Sequence, residues 1–527
     1  MRMKWKDGMI NKEVTAPLSL VITAFAPVQN VHRTWTPQLQ NVPEQTVLVL
    51  IDLAGGKQRL GGSALAQVFG QVGNEAPNVE DAAVLKSFVS AVRELHARDG
   101  LILAYHDRSD GGLFTTVAEM MFAGRLGVNM SLDNIAGSKD AEIVAALFNE
   151  ELGAVLQIRE NDVDTVTKVF TSSGLPEQAV KVIGTVTTPQ TLTIERDGRL
   201  LYKATRADLQ QKWASTSYQM QSLRDNPACA RQEFENIVSD DDRGLWYNLT
   251  FDMSSIPASL SNRPKVAILR EQGVNGHAEM AFGFHLAGFS SVDVHMTDII
   301  NGDVSLDSFV GIAACGGFSY GDVLGAGNGW AKSVLLHKDI REEFHRFFAE
   351  RTDTFALGAC NGCQFLTRIK EVIPGTENWP TFQRNLSEQF EARFSQVSVV
   401  PKAKGVKSVF LGDMEGSELP IAVAHGEGRA VFAKEEDVQI LEEHGLVGVR
   451  YIDGQGPAQR YPANPNGSPR GIAGVITPNG RVLALMPHPE RVIMKEACSW
   501  YPSSEAESWG EFGPWLQIFR SARKWVG

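Results

Sequence analysis

Apolar and polar positions along this chain follow helix-like and strand-like rhythms in turn, and the rhythm restarts once. In the first stretch, residues 47–51 are a short unbroken apolar run, which reads as a strand buried on both faces. Val84, Leu85, Phe88, Val92 and Leu95 then recur at helical spacing. Asn78 is placed to cap that helix, Glu80 and Asp81 to occupy its first turn, and Gly100 to stop it. Residues 101–105 read as a buried strand, His106-Asp-Arg-Ser-Asp-Gly-Gly112 as a polar loop, and residues 113–123 as a helix ending near Gly124. Strand, loop and helix in that order offer the loop to a ligand at the strand's carboxyl end.

Residues 226–262 are poorer in pattern and richer in punctuation, with an acidic run at Ser239-Asp-Asp-Asp242, so they read as a linker. A second α/β pattern then begins. Residues 266–269 read as a strand, 276–286 as a helix and 292–295 as a strand. The same order continues through 354–357 and the helix-like 364–369, which predicts a doubly wound sheet. Near the end, apolar runs at 471–477 and 481–486 flank Pro478-Asn-Gly480, a strong hairpin signal.

Composition narrows the class. The chain has 527 residues, enough for two to four domains, and 43% hydrophobic with 21% charged residues describe ordinary globular material. A net charge of −12 argues against a nucleic-acid or anionic-membrane surface, while leaving room for a local phosphate pocket. No apolar run approaches a bilayer span, and the first residues show no secretion signal. Five cysteines, odd in number and sparse, fit a reducing compartment, so a cytoplasmic location is expected.

The richest chemistry lies at Leu357-Gly-Ala-Cys-Asn-Gly-Cys-Gln-Phe365. Cys360 falls on a strand-to-helix turn with Gly358 and Gly362 as small neighbours, the cysteine form of a nucleophile elbow. At a helix N-terminus the free N–H groups and the dipole favour thiolate over thiol. A buried structural cysteine, or a redox pair with Cys363, are the competing readings; no second cysteine pair follows at zinc spacing. Downstream, Met486-Pro-His-Pro-Glu-Arg491 supplies His488 as a base and Glu490 as the group to orient it. Acyl transfer also needs oxyanion donors, and Cys315-Gly-Gly-Phe-Ser-Tyr-Gly-Asp322 offers a glycine turn near Gly316 and Gly317. Alone, that turn reads as mere flexibility.

The Gly-x-Cys-x-Gly-x-Gln turn with a distal His-Pro-Glu resembles the class I, triad glutamine amidotransferases. More narrowly, Arg270-Glu-Gln-Gly-Val-Asn-Gly-His277, the Cys315–Gly327 stretch, His425-Gly-Glu-Gly428, Tyr461-Pro-Ala-Asn-Pro-Asn-Gly-Ser468 and Trp509-Gly-x-x-Gly-Pro-Trp515 resemble the large, single-chain phosphoribosylformylglycinamidine synthases. The resemblance implies a ligase that converts formylglycinamide ribonucleotide, glutamine and ATP to formylglycinamidine ribonucleotide, glutamate, ADP and phosphate. It implies residues 1–225 as the C-terminal half of a synthetase module (AIR-synthase-like), 226–262 as linker and 263–527 as a class I glutaminase domain. It assigns Cys360, His488 and Glu490 as the triad, Asp107 as a Mg²⁺ ligand and Ser109 as a nucleotide contact. Gly55-Gly-Lys-Gln-Arg-Leu-Gly-Gly-Ser63 and Phe148-Asn-Glu-Glu-Leu-Gly-Ala154 also resemble signatures of that family. Such enzymes are much longer, so the chain is expected to be their C-terminal part, about two fifths, with the N-terminal synthetase half as the missing partner. A standalone glutamine or γ-glutamyl amide hydrolase with an accessory domain is the alternative.

Overall fold

The computed structural model describes residues 2–15, 21–28, 30–240, 242–254, 262–401 and 406–527, with no side-chain description at 32, 503 and 504. The chain forms two compact units, Met1–Ser215 and Thr216–Gly527.

In the first unit a seven-stranded sheet runs in the spatial order Ala104–Asp107, Gly153–Arg159, Thr46–Asp52, Val180–Thr187, Gly127–Ser131, Thr191–Arg196, Arg199–Thr205. The pair Gly127–Ser131 and Thr191–Arg196 is parallel and the other pairs are antiparallel. The unbroken apolar run is explained by helices on both faces. Every residue of Thr46–Asp52 is buried. Alternation sends Val47, Val49 and Ile51 toward Leu95, Val166 and Phe170, and Leu48 and Leu50 toward Val117, Met120 and Met121. Each such side chain removed from water contributes on the order of 1.5–3 kcal/mol.

Two local expectations shift. The helix Ala82–His96 is capped by Asp81, whose carboxylate accepts from Ala83 N at 2.8 Å, and not by Asn78. The Asn78 carbonyl is engaged instead by Arg59, which holds it away from the helix end. The strand expected at 101–105 is Ala104–Asp107, so His106 and Asp107 belong to the strand and the loop begins at Arg108.

The second unit carries a nine-stranded sheet in the order Ser290–His295, Lys265–Arg270, Gly311–Ala314, Phe355–Ala359, Val482–Leu485, Ile472–Ile476, Val447–Tyr451, Glu391–Val399, Glu418–His425. The first five are mutually parallel and the remaining pairings are antiparallel. The hairpin around Pro478-Asn-Gly480 is present, with Ile476 opposite Leu483 and Gly480 at φ 70. Aromatic rings fill one end of the core: Phe284 meets Phe289 and Phe519 edge-on and stacks on Phe355.

The stretch 226–262 has structure where it is described. Asn226 caps the helix Pro227–Asn236. Buried Trp246 exchanges hydrogen bonds with the Gln396 side chain, its N–H donating at 3.1 Å and its carbonyl accepting at 3.0 Å. Residues 241 and 255–261 of that stretch lie outside the described residues.

Candidate active site

The strand Phe355–Ala359, buried throughout, ends at Cys360, and the helix Asn361–Arg368 starts at the next residue. Cys360 has φ 51 and ψ −108, a conformation strained for any residue with a Cβ. The surroundings hold it there. Its N–H donates to Leu485 O at 2.9 Å, and its carbonyl accepts from Gln364 N at 3.0 Å. The glycines are required by space: a Cβ on Gly358 would stand 2.6 Å from Gly362 O, and one on Gly362 would overlap Ala314 O.

His488 follows the strand Val482–Leu485, the immediate neighbour of the cysteine's own strand. Its Nδ1 lies 2.6 Å from Glu490 Oε1, with both side chains out of water. Among the described residues the imidazole Nε2 has no partner other than the Cys360 thiol. Burial works against a charged imidazole, but the charge of Glu490, then that of Cys360, outweighs it and raises His488 to about 10. Burial pushes the thiols of Cys315 and Cys363 well up, and that of Cys498 to about 11.

Gly316 stands against this pair. A Cβ there would fall 2.7 Å from His488 Cε1 and 3.4 Å from Cys360 Cβ. Gly316 and Gly317 are fixed by pairing with the segment after Arg270: Asn275 N and Gly276 N donate to Gly316 O, and Phe318 N donates to Gly273 O. Neither glycine N–H is consumed by that pairing. The arrangement gathers a thiol, an imidazole with its carboxylate, and a glycine turn, the parts of a thioester-forming site.

Several residues here were not singled out from the sequence. Ser319 N donates to Asn361 Oδ1 (3.1 Å), Asn361 Nδ2 to Gln364 Oε1 (3.0 Å), Gln364 Nε2 to Glu427 O (2.7 Å), and Ala326 N to Glu427 Oε2 (3.1 Å). This ring ties the 316–327 loop to the elbow helix. Within the loop Tyr320, Gly321 and Asp322 all have positive φ. Burial, then the charge of Glu427, lifts the Asp322 carboxyl to about 6. His425, in the same Glu418–His425 strand whose Ala424 carbonyl lies 3.6 Å from Cys360 Sγ, is fully buried; burial, then His488, lowers it to about 3. Each of these residues sits inside a motif quoted above, so the signal was their position in those runs.

In the first unit three motifs converge. Arg108, buried, donates to Asp52 Oδ1 (2.9 Å) and Glu151 O (2.7 Å). Glu151 accepts from Arg59 Nε at 2.7 Å, and Glu150 accepts from the N–H groups of Gly111 and Ala64. The Gly55–Ser63, His106–Gly112 and Phe148–Ala154 segments are therefore one locus. Asp107 and Ser109 point outward from it, both exposed, with the Asp107 carboxylate accepting from Tyr105 Oη at 2.5 Å. Among the described residues no group of three His, Cys, Asp or Glu could hold a metal ion. Mg²⁺ takes octahedral oxygen ligands and is commonly held by one or two carboxylates with waters and phosphates, so the exposed Asp107 carboxylate fits as one ligand and leaves the others to groups beyond it. Among the described residues no helix is long and apolar enough to cross a membrane.

The family described as AIR synthase related protein, C-terminal domain, matches residues 43–197. Two curated relatives named phosphoribosylformylglycinamidine synthase match 100% of this chain. The one from Schizosaccharomyces pombe is 53% identical over 535 residues, and the one from Saccharomyces cerevisiae is 53% identical over 541. The chain spans 40% and 39% of their lengths. A solved structure of PurLQS from Thermotoga maritima is 25% identical, covering 50% of this chain and 100% of its own, at a TM-score of 0.37. The CobB/CobQ-like glutamine amidotransferase domain matches residues 263–526, the part that holds Cys360, His488 and Glu490, and the chain belongs to that family.

Proposed function

We propose that this chain is the glutamine-hydrolysing part, with a portion of the synthetase part, of a phosphoribosylformylglycinamidine synthase. The observation that carries the reading is the strained Cys360 elbow facing a buried His488–Glu490 pair. Cys360 Sγ attacks the side-chain amide carbon of glutamine. The oxyanion is met by the N–H groups at Gly316 and Gly317. The His488 imidazolium, held charged by Glu490, gives its proton to the leaving nitrogen, so ammonia departs and a thioester to Cys360 remains. Neutral His488 then takes a proton from water, whose oxygen attacks the thioester carbon. Glutamate leaves as the carbon–sulfur bond breaks, and the Cys360 thiolate is restored beside the reprotonated His488 imidazolium. Glu490 orients His488 and does not itself change protonation state.

Residues 1–225 supply part of the synthetase site, 226–262 join the two parts, and 263–527 form the glutaminase. In the whole enzyme ATP activates the formyl oxygen of formylglycinamide ribonucleotide, and ammonia replaces it to give the amidine, ADP and phosphate. Ser109 is a nucleotide contact and Asp107 one Mg²⁺ ligand, each completed by groups outside this chain; when bound, the ion would neutralise phosphate charge. Cytoplasmic residence fits the free thiols of all five cysteines.

The test is mass-spectrometric mapping after treatment with an α-amino diazoketone analogue of glutamine, with Cys360→Ala as control. Labelling confined to Cys360 and blocked by excess glutamine is the expected result. Labelling at another cysteine, or labelling that glutamine does not block, refutes the reading. Adding the synthetase half and measuring amidine formation tests the whole reaction.

A further inference from the structure

Glu271 is a carboxylate that the hydrolytic chemistry does not use, and the fold buries it. It follows the strand Lys265–Arg270, at the carboxyl end of the parallel half of the sheet, and is 3% exposed. A buried carboxylate is costly to keep unless donors surround it. Three are gathered here. The following Gln272 N donates to Oε1 at 2.9 Å. His295, at the end of the neighbouring strand Ser290–His295, brings Nε2 to 3.3 Å from the same oxygen. Its Nδ1 accepts from Thr297 N at 3.2 Å, so Nε2 carries the ring proton and is the donor. The Tyr320 hydroxyl, from the loop after Gly311–Ala314, meets the carboxylate too; burial, then this contact, raises Tyr320 to about 12.

These bonds hold the segment on which the glycine turn of the elbow rests. Val274 N donates to Glu271 O at 3.0 Å, folding 271–276 back on itself. That segment runs beside 316–320 and is bonded to it all along. Tyr320 N donates to Gln272 O and Phe318 N to Gly273 O, each at 2.9 Å. Asn275 N and Gly276 N donate to Gly316 O at 3.1 and 3.0 Å. The two backbones leave no room between them: a Cβ on Gly273 would stand 2.1 Å from Phe318 O, and one on Gly317 2.6 Å from Val274 Cα. On its other side Gly316 lies against His488 and Cys360. The turn can move only as far as 271–276 moves. Glu271 is the side chain that ties that segment both to the neighbouring strand, through His295, and to the loop itself, through Tyr320.

We propose that Glu271 is a positioning residue for the oxyanion, holding the Gly316 and Gly317 N–H groups where charge develops on the side-chain oxygen of glutamine. This rests on the glutaminase reading and goes beyond it by adding a carboxylate that acts without meeting substrate. Oxyanion donors bind the tetrahedral intermediate more strongly than the ground-state amide, so a displaced turn slows the chemical step without weakening binding. Alkylation of Cys360 by iodoacetamide differs in kind. The sulfur–carbon bond forms at a saturated carbon as iodide leaves, no oxyanion develops, and the turn is not needed. Cys315, fully buried at the start of the loop, supplies an internal control, because it becomes reactive only where the local fold opens.

The test uses the 527-residue chain carrying Glu271→Gln, Tyr320→Phe, or both. In Glu271→Gln, kcat for glutamate release from glutamine is expected to fall about ten- to a hundredfold with KM unchanged. Iodoacetamide should label Cys360 at the wild-type rate and leave Cys315 untouched. Tyr320→Phe removes one oxygen from a side chain that is 41% exposed, so it reads the same effect even where the first variant folds poorly. It should lower kcat about three- to tenfold, again with KM unchanged. The double variant should be no slower than Glu271→Gln, because the hydroxyl acts through that carboxylate. Wild-type kcat in both single variants overturns the proposal. A raised KM with kcat kept also overturns it, since Glu271 would then serve substrate binding. So does labelling of Cys315 or slower labelling of Cys360, which would make Glu271 a support of the fold alone. A wild-type chain that releases no glutamate sinks the glutaminase reading itself, and this proposal with it.

Discussion

Both units build a turn between a strand and a helix, and the two turns are finished differently. After Phe355–Ala359 the chain presents Cys360 at 6% exposure, beside groups from Gly316, Ala424 and His488 of the same unit. After Ala104–Asp107 the chain buries Arg108 as an anchor and leaves Asp107 and Ser109 facing outward. Near that second turn, in the segment following Gly55–Ser63, Val68 and Phe69 are 80% and 73% exposed. The same local grammar thus yields an enclosed cluster of side chains in one unit and an open, outward-facing one in the other. A closed site is tested by chemistry on this chain; an open one is tested by supplying what closes it.

The largest effect expected is from Cys360→Ser, which should lower glutamine hydrolysis by at least about 1,000-fold, since removing one member of a cooperating triad removes nearly all of its contribution. An equal loss in Asp107→Asn, measured on this chain alone, would break the comparison. Glu490→Gln should cost about 100- to 10,000-fold in kcat with little change in KM, because it disturbs the imidazole's charge and tautomer rather than substrate binding. A KM effect alone would reassign Glu490 to the substrate pocket.

Gly362→Ala forces a methyl group against the Ala314 carbonyl and should destabilise the second unit by about 1–3 kcal/mol in denaturant titrations. No loss would mean that the elbow is less tightly packed than its distances imply.

A pH-dependent effect follows from two buried histidines. His425 is lowered to about 3, so between there and 6.5 the unfolded chain takes a proton that the native state refuses, and stability rises with pH. His488 is raised to about 10, so between 6.5 and there the native state keeps a proton that the unfolded chain has lost, and stability falls with pH. Together these groups place a stability maximum near pH 6.5, and His425→Gln should flatten the acid limb alone. Smallest of all, Asp107→Asn should shift the stability of the first unit by under about 0.5 kcal/mol, as befits an exposed side chain with one hydroxyl contact. A larger shift would make Asp107 a structural residue.

What could be read from the sequence was what is local. The elbow around Cys360, the Pro478-Asn-Gly480 hairpin and the βαβ opening at Lys265–Arg270 are written in adjacent residues, and the structure has all three. The cap at Asp81 was misplaced because Asn78 and Asp81 are chemically equivalent candidates, and only the tertiary bond from Arg59 decides between them. The tethers from Glu150 and Glu151, and the ring from Ser319 to Glu427, join residues far apart in sequence that no periodicity connects. Beyond that hairpin, the antiparallel half of the nine-stranded sheet was likewise invisible, since strand order is set by packing and not by spacing.

The place of Val482–Leu485 in that sheet also bears on when the molecule becomes reactive. This strand lies between Phe355–Ala359 and Ile472–Ile476, and Leu485 supplies the carbonyl that pins Cys360 N. During synthesis on the ribosome, Cys360 emerges long before His488. Until the late strand has threaded into the middle of the sheet, the thiol has neither its backbone anchor nor its base. Sheet insertion thus acts as a timer: the elbow is complete only once the late strand is in place.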